Sequence, residues 1–181
     1  MDGGGVRGIL HPLYLKRIEE ELDLPIPVQE HFGFAYGISV GGMVILGLYD
    51  KGWSATTCAV MLEVLAEQAF ETPGPAFIQL FLTLWWVQMF VGLALGHLYS
   101  SRGIELALQE AFGEKHLSSP SYATSVGTKI GVLAASTDQP STCLFTNYNG
   151  AGGARTGYNV PEQCHQVKTW EIARGTSAAP L

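Results

Sequence analysis

Between Ile9 and Leu22 the apolar positions Leu10, Leu13, Tyr14, Ile18 and Leu22 fall at helical spacing, with acids gathered late on the polar side. That rhythm predicts an amphipathic helix. Pro12 fits because a proline in the first turn removes an N–H that has no intrahelical acceptor. Phe34 to Ile38 is a short apolar run of strand character, and Met43 to Lys51 reads as an apolar helix broken by Gly52-Trp53-Ser54. Ser54 is placed to cap a helix over Ala55 to Phe70. Within it Val60, Leu62, Val64, Leu65 and Phe70 are predicted inward, and Glu63, Glu67 and Gln68 outward. Thr72-Pro73-Gly74-Pro75 stops it.

Further on, Ile104 to Phe112 is amphipathic, started by Ser100 or Ser101 and closed by Gly113 as a left-handed cap. Ser118 to Thr128 reads as a polar loop. Lys129 to Ser136 is nearly continuous apolar sequence, the pattern of a strand covered on both faces in a parallel sheet. Cys143 to Tyr148 is another strand, ended by Asn149-Gly150, and a last helix is expected over about Val167 to Arg174. Strands alternating with a surplus of helices predict a layered α/β domain with a mainly parallel central sheet.

One stretch breaks the rhythm. Residues 76–100 carry no charged side chain, and at ~1.5 Å per residue this run has roughly the length of a membrane span. Gly92 and Gly96 form a small-residue pair of the kind packed membrane helices use. A single crossing would put sequence that belongs to one sheet on opposite sides of the bilayer. Gln79, Gln88 and His97 also interrupt the run. A buried core helix and an interfacial helix or lid, with Trp85-Trp86 at the lipid boundary, are therefore the stronger readings of the segment over 76–101.

With 181 residues, the chain holds one domain's worth of sequence. The net charge of -6 offers no basic stripe, which argues against a nucleic-acid partner. Cys58, Cys143 and Cys164 are widely spaced and odd in number, so neither a metal site nor a disulfide framework is expected. No signal-peptide pattern opens the chain, and the expected location is intracellular, in the cytoplasm or peripherally on a membrane.

Candidate chemistry concentrates in two glycine-rich motifs. Gly37-Ile38-Ser39-Val40-Gly41 follows the apolar run and precedes a helix. A serine on a sharp strand-to-helix turn needs glycine two residues before and after, because a side chain there would strike the tight backbone. The turn exposes the hydroxyl of Ser39 as a nucleophile and puts the N–H of Val40 at a helix start, where it suits a developing oxyanion. Earlier, Gly3 to Gly8 reads G-x-G-x-x-G and runs straight into a helix, presenting several N–H groups to an anion. A dinucleotide loop, a plain tight turn and an oxyanion loop serving Ser39 compete for it. The first lacks a preceding strand, and the nearness of Ser39 favours the last. A side chain at Gly4 is then expected to crowd the oxyanion.

Asp2-Gly3-Gly4-Gly5-Val6-Arg7-Gly8, followed about 30 residues later by Gly37-Ile38-Ser39-Val40-Gly41-Gly42, resembles the patatin-like phospholipases. Trp170 to Pro180 and the stretch from Tyr99 to Gly113 are similar too, so the resemblance spans essentially the whole chain. It implies a Ser–Asp dyad with Ser39 as nucleophile and an oxyanion hole at Gly3, Gly4 and Gly5. Arg7, Gly8, Gly37 and Gly41 support the motifs, and Arg7 either meets an anionic head group or pins the loop. The implied substrate is a fatty-acyl ester of a phospholipid or neutral lipid, with a membrane surface as partner and no cofactor.

The resemblance also implies a departure. The dyad aspartate belongs to an Asp-Gly-Gly or Asp-Gly-Ala motif beyond Thr176-Ser177-Ala178-Ala179-Pro180, and none of Asp2, Asp23, Asp50 and Asp138 stands in one there. Met1 stands where the first strand of the family would have ended, so a partial domain, with little activity as written, is expected. Two alternatives remain: a catalytically silent fragment with a lipid- or partner-binding surface, and a Ser–His–Asp hydrolase using Asp138 and His165.

Overall fold

The computed structural model of the chain describes residues 1–70, 101–135, 142–148 and 166–177. The Gly-rich loop enters a 3-10 turn over Gly5–Ile9 and then helix α1, Leu10–Leu22, which Asp23 ends in a left-handed conformation at φ 46°. Pro12 lies in its first turn and is buried, as expected. Leu10, Leu13, Tyr14, Ile18 and Leu22, by contrast, are all exposed. Periodicity locates a helix, but it does not say which face another element covers. The charges of α1 pair along the helix, Lys16 with Glu20 and Arg17 with Glu20 and Glu21.

Strand β1, Phe34–Ile38, turns at Ser39 into α2, Val40–Ile45, which continues through a π turn at Leu46–Asp50. Every residue from Gly41 to Tyr49 is buried. A helix apolar all round has no solvent face, and this one lies at the centre of the core. Ser54 caps α3, Ala55–Phe70, its Oγ accepting from the Thr57 N–H at 3.1 Å. Leu62 and Leu65 are buried as expected, whereas Val60 and Val64 are exposed, which corrects the inward assignment of those two valines.

Helix α4, Ser101–Phe112, ends as expected, with Gly113 at φ 70° and its N–H on the Gln109 carbonyl. The segment read as a polar loop contains a short helix, α5, Tyr122–Val126. The Thr124 hydroxyl accepts from the Ser121 N–H, and Gly127 closes the helix at φ 75°. Five residues are too few for a hydrophobic period to announce such an element. Strands β2, Lys129–Ala135, and β3, Thr142–Thr146, follow, and then α6, Thr169–Ser177, which carries Gly175 and Thr176 inside the helix.

The sheet order is β1-β2-β3. β1 runs parallel to β2, pairing Phe34 with Lys129 through Ile38 with Leu133, and β3 runs antiparallel to β2. The expected α/β architecture is thus present as a mixed three-stranded sheet flanked by helices. Ile130 and Val132 of β2 meet Val44, Leu46 and Leu48 from the α2 stretch, Leu108 and Phe112 of α4, and Ile172 of α6 in one core. Met1 lies along the other edge of β1, its ammonium on the Tyr36 carbonyl at 2.6 Å and its carbonyl accepting from the Ile38 N–H at 3.2 Å. The uncharged run lies, up to residue 100, outside the described residues, and no described helix is long and apolar enough to cross a membrane.

Candidate active site

Ser39 occupies the join of β1 and α2 with φ 56° and ψ -132°, a backbone state that L-residues avoid. Holding it costs on the order of 1–3 kcal/mol, which the surroundings must supply. The two flanking glycines are explained by close approach. A Cβ at Gly37 would collide with the backbone carbonyl of Gly41, and one at Gly41 would meet the backbone oxygens of Met1 and Asp2 at 2.5 Å. Gly37 to Gly41 thus makes a tight strand-to-helix turn, and Gly41 is required by the segment that carries Met1 and Asp2.

That segment is the Gly-rich loop, and it lies against the serine. A Cβ built on Gly3 would stand 3.0 Å from the Ser39 Cβ and 3.5 Å from its Oγ. Gly8 is pressed onto the Val40 side chain, where no Cβ fits. At Gly4 a Cβ would meet only Arg7, at 3.9 Å, and the backbone stands at φ 146°, a conformation that side chains rarely adopt. Among the described residues no acceptor meets the N–H groups of Gly3, Gly4 or Gly5. Of these, Gly3 lies beside the Ser39 hydroxyl, and the Val40 N–H is the first of α2 after it. Arg7 is exposed, and no described carboxylate pairs with it.

The N–H of Ser39 itself is taken. It donates to the Thr176 hydroxyl at 2.7 Å, which donates in turn to the Leu133 carbonyl of β2 at 2.6 Å. Thr176 is 4% exposed. Sequence reading quoted this threonine only as part of a matching block and assigned it no role. The contact spans 137 residues, and no local spacing could announce it.

Among the described residues, Asp50 lies away from the serine. Asp50 ends the helical stretch that Ser39 begins, about 16 Å away at ~1.5 Å per residue. There it lines a separate cleft of about 330 Å³ with Lys51, Lys115, Pro120, Ser121 and Tyr122. Burial pushes its carboxyl above the usual range, and Lys51, Lys115 and the Thr169 hydrogen bond pull the other way. Tyr122 in the same cleft is pushed up to about 12 by burial and by its hydrogen bond and charge contact with Glu30. Asp23 caps the far end of α1, and the His11 ring bonds the Gly8 carbonyl at 3.0 Å. Asp138 and His165 lie outside the described residues. Cys58 is buried, its thiol pushed up to about 12 by burial, and among the described residues no group of side chains is arranged to hold a metal ion.

Comparison with known proteins gives one family. The model described as patatin-like phospholipase matches residues 1–181, the whole chain. No curated protein matches the chain.

Proposed function

Because the chain belongs to the patatin-like phospholipase family, whose members act as lipid acyl hydrolases, we propose that it cleaves fatty-acyl esters of phospholipids or neutral lipids through Ser39. The observation that carries this reading is the strained elbow with the Gly-rich loop folded against it, Gly3 beside the Ser39 hydroxyl. The Ser39 Oγ attacks the acyl carbonyl carbon and gives up its proton to a base. The carbonyl oxygen becomes an oxyanion within reach of the Val40 N–H and the free N–H groups of the loop. The C–O bond to the leaving alcohol then breaks, and water releases the fatty acid from the acyl-serine.

Ser39's own N–H, bonded to Thr176, is not available to the oxyanion, so the hole is built from Val40 and the loop. The family resemblance makes the base an aspartate in direct contact with the serine. Asp50, at the opposite end of the helical stretch, does not serve. Fatty-acid release from mixed phospholipid and triacylglycerol emulsions tests the reading. In a chain extended to carry the family's Asp-Gly-Gly or Asp-Gly-Ala motif, Ser39-dependent release is expected, with Ser39→Ala reduced to background, and release that survives the alanine change would defeat it.

A second reading has an observation of its own. Among the described residues neither a carboxylate nor an imidazole bonds the Ser39 hydroxyl, and α1 exposes Leu10, Leu13, Tyr14, Ile18 and Leu22. A catalytically silent chain that binds lipid would show vesicle association with no Ser39-dependent release.

A further inference from the structure

We propose that Thr176 is a positioning residue that holds Ser39 in its reactive geometry, an inference that rests on the reading of Ser39 as nucleophile. Its single hydroxyl is used in both directions. The proton is committed to the Leu133 carbonyl at 2.6 Å, so a lone pair must face the Ser39 N–H, which it meets at 2.7 Å. The polarity of the bond to Ser39 is thereby fixed. The residue it fixes is one of the two non-glycine residues with positive φ among those described, and such a state persists only where neighbours over-determine it.

The anchor is rigid on its other sides. At its first turn α6 is tied to the end of α4, with the Thr169 N–H on the Lys115 carbonyl at 2.8 Å and Lys168 paired with Glu114. At its last turn Thr176 packs on the elbow itself, where a Cβ at Gly42 would lie 3.0 Å from both its methyl and its hydroxyl. Ile172 and Ala173 between the two ends are buried in the core. Thr176 thus connects three elements by hydrogen bond and contact: β2, the β1–α2 elbow and the last turn of α6. It touches no reacting atom, and it acts by setting where the Ser39 hydroxyl points and by keeping the Ser39 N–H off the oxyanion.

The test is the rate of Ser39 modification by a fluorophosphonate in the purified protein and its variants. Thr176→Val keeps the shape and loses both hydrogen bonds. Its inactivation rate constant is expected to fall about ten-fold or more at unchanged probe affinity, because geometry and not binding is altered. Thr176→Ser keeps the hydroxyl and is expected within about three-fold of the parent. If the valine variant fails to fold cooperatively, Thr176→Cys, a poorer bonding partner of similar size, carries the comparison and is expected between the other two.

Parent-like labelling of the folded valine or cysteine variant would overturn the proposal. So would a serine variant as impaired as valine, which would reduce Thr176 to packing. Ser39→Ala separates the two levels. Labelling that persists in it defeats the nucleophile reading, whereas its loss together with indifference to Thr176 defeats only the positioning role.

Discussion

Gly3 and Gly113 are both glycines for which alanine is predicted to be costly, and the costs are of different kinds. At Gly3 the added methyl would sit 3.0 Å from the Ser39 Cβ, displacing the residue that must attack. Gly3→Ala is therefore expected to lower ester turnover about ten-fold with a nearly unchanged melting temperature, since Ser39 must give way by only a fraction of an ångström. Gly113 lies beyond α4 at φ 70°, where an added methyl would meet only the Lys51 ammonium at 3.9 Å, an ordinary contact. Gly113→Ala should instead cost roughly 1–2 kcal/mol of stability, measured by urea unfolding, and leave the labelling rate of Ser39 unchanged. Equal effects on both readouts in both variants would contradict the division. At this scale the sequence was legible where contacts are local: Gly37, Ser39 and Gly41 are spaced by the turn they make. It was not legible at Thr176, whose partners Ser39 and Leu133 lie far away in the chain.

The helical stretch from Val40 to Asp50 joins the two ends of the molecule's chemistry. Its first turn carries the candidate nucleophile, and its last carries a half-buried carboxylate between two lysines. Because burial raises the Asp50 carboxyl above its ordinary value of 3.8, the native state binds that proton more readily than the unfolded chain. Stability contributed by Asp50 is therefore highest at low pH, falls as pH rises through 3.8 toward the native value, and stays low above it. Asp50→Asn removes this dependence, so its stability relative to the parent should improve as pH rises above 3.8 and then level off, in urea titrations run from pH 3 to pH 7. A constant difference across that range would show that Lys51 and Lys115 already offset the burial. Elements were readable from sequence wherever a long period or a strong cap marked them, as for α1, α3, α4 and β2. The π turn at Leu46–Asp50 was not, because one extra residue in a helix leaves its apolar run unbroken. The exposed Val60 and Val64 mark the same limit, since valine reads as core until the neighbouring element is known.

As a whole the molecule is an α/β layer in which β2 and the buried α2 stretch form the centre, and the candidate site lies where β1, the Gly-rich loop and α6 converge. The architecture followed from the alternation of strands and helices. The convergence did not, because it depends on Met1, Asp2 and Thr176, from opposite ends of the sequence, closing on one elbow. That closure turns a five-residue motif into a candidate catalytic site, and it places Ser39 at the centre of the account. The most direct measurement is the intact mass of the purified protein after reaction with a fluorophosphonate, followed by mapping of the modified peptide. One adduct per chain, located on Ser39 and absent from Ser39→Ala, is the predicted result. An adduct on another residue, or one that persists when Ser39 is alanine, would contradict it.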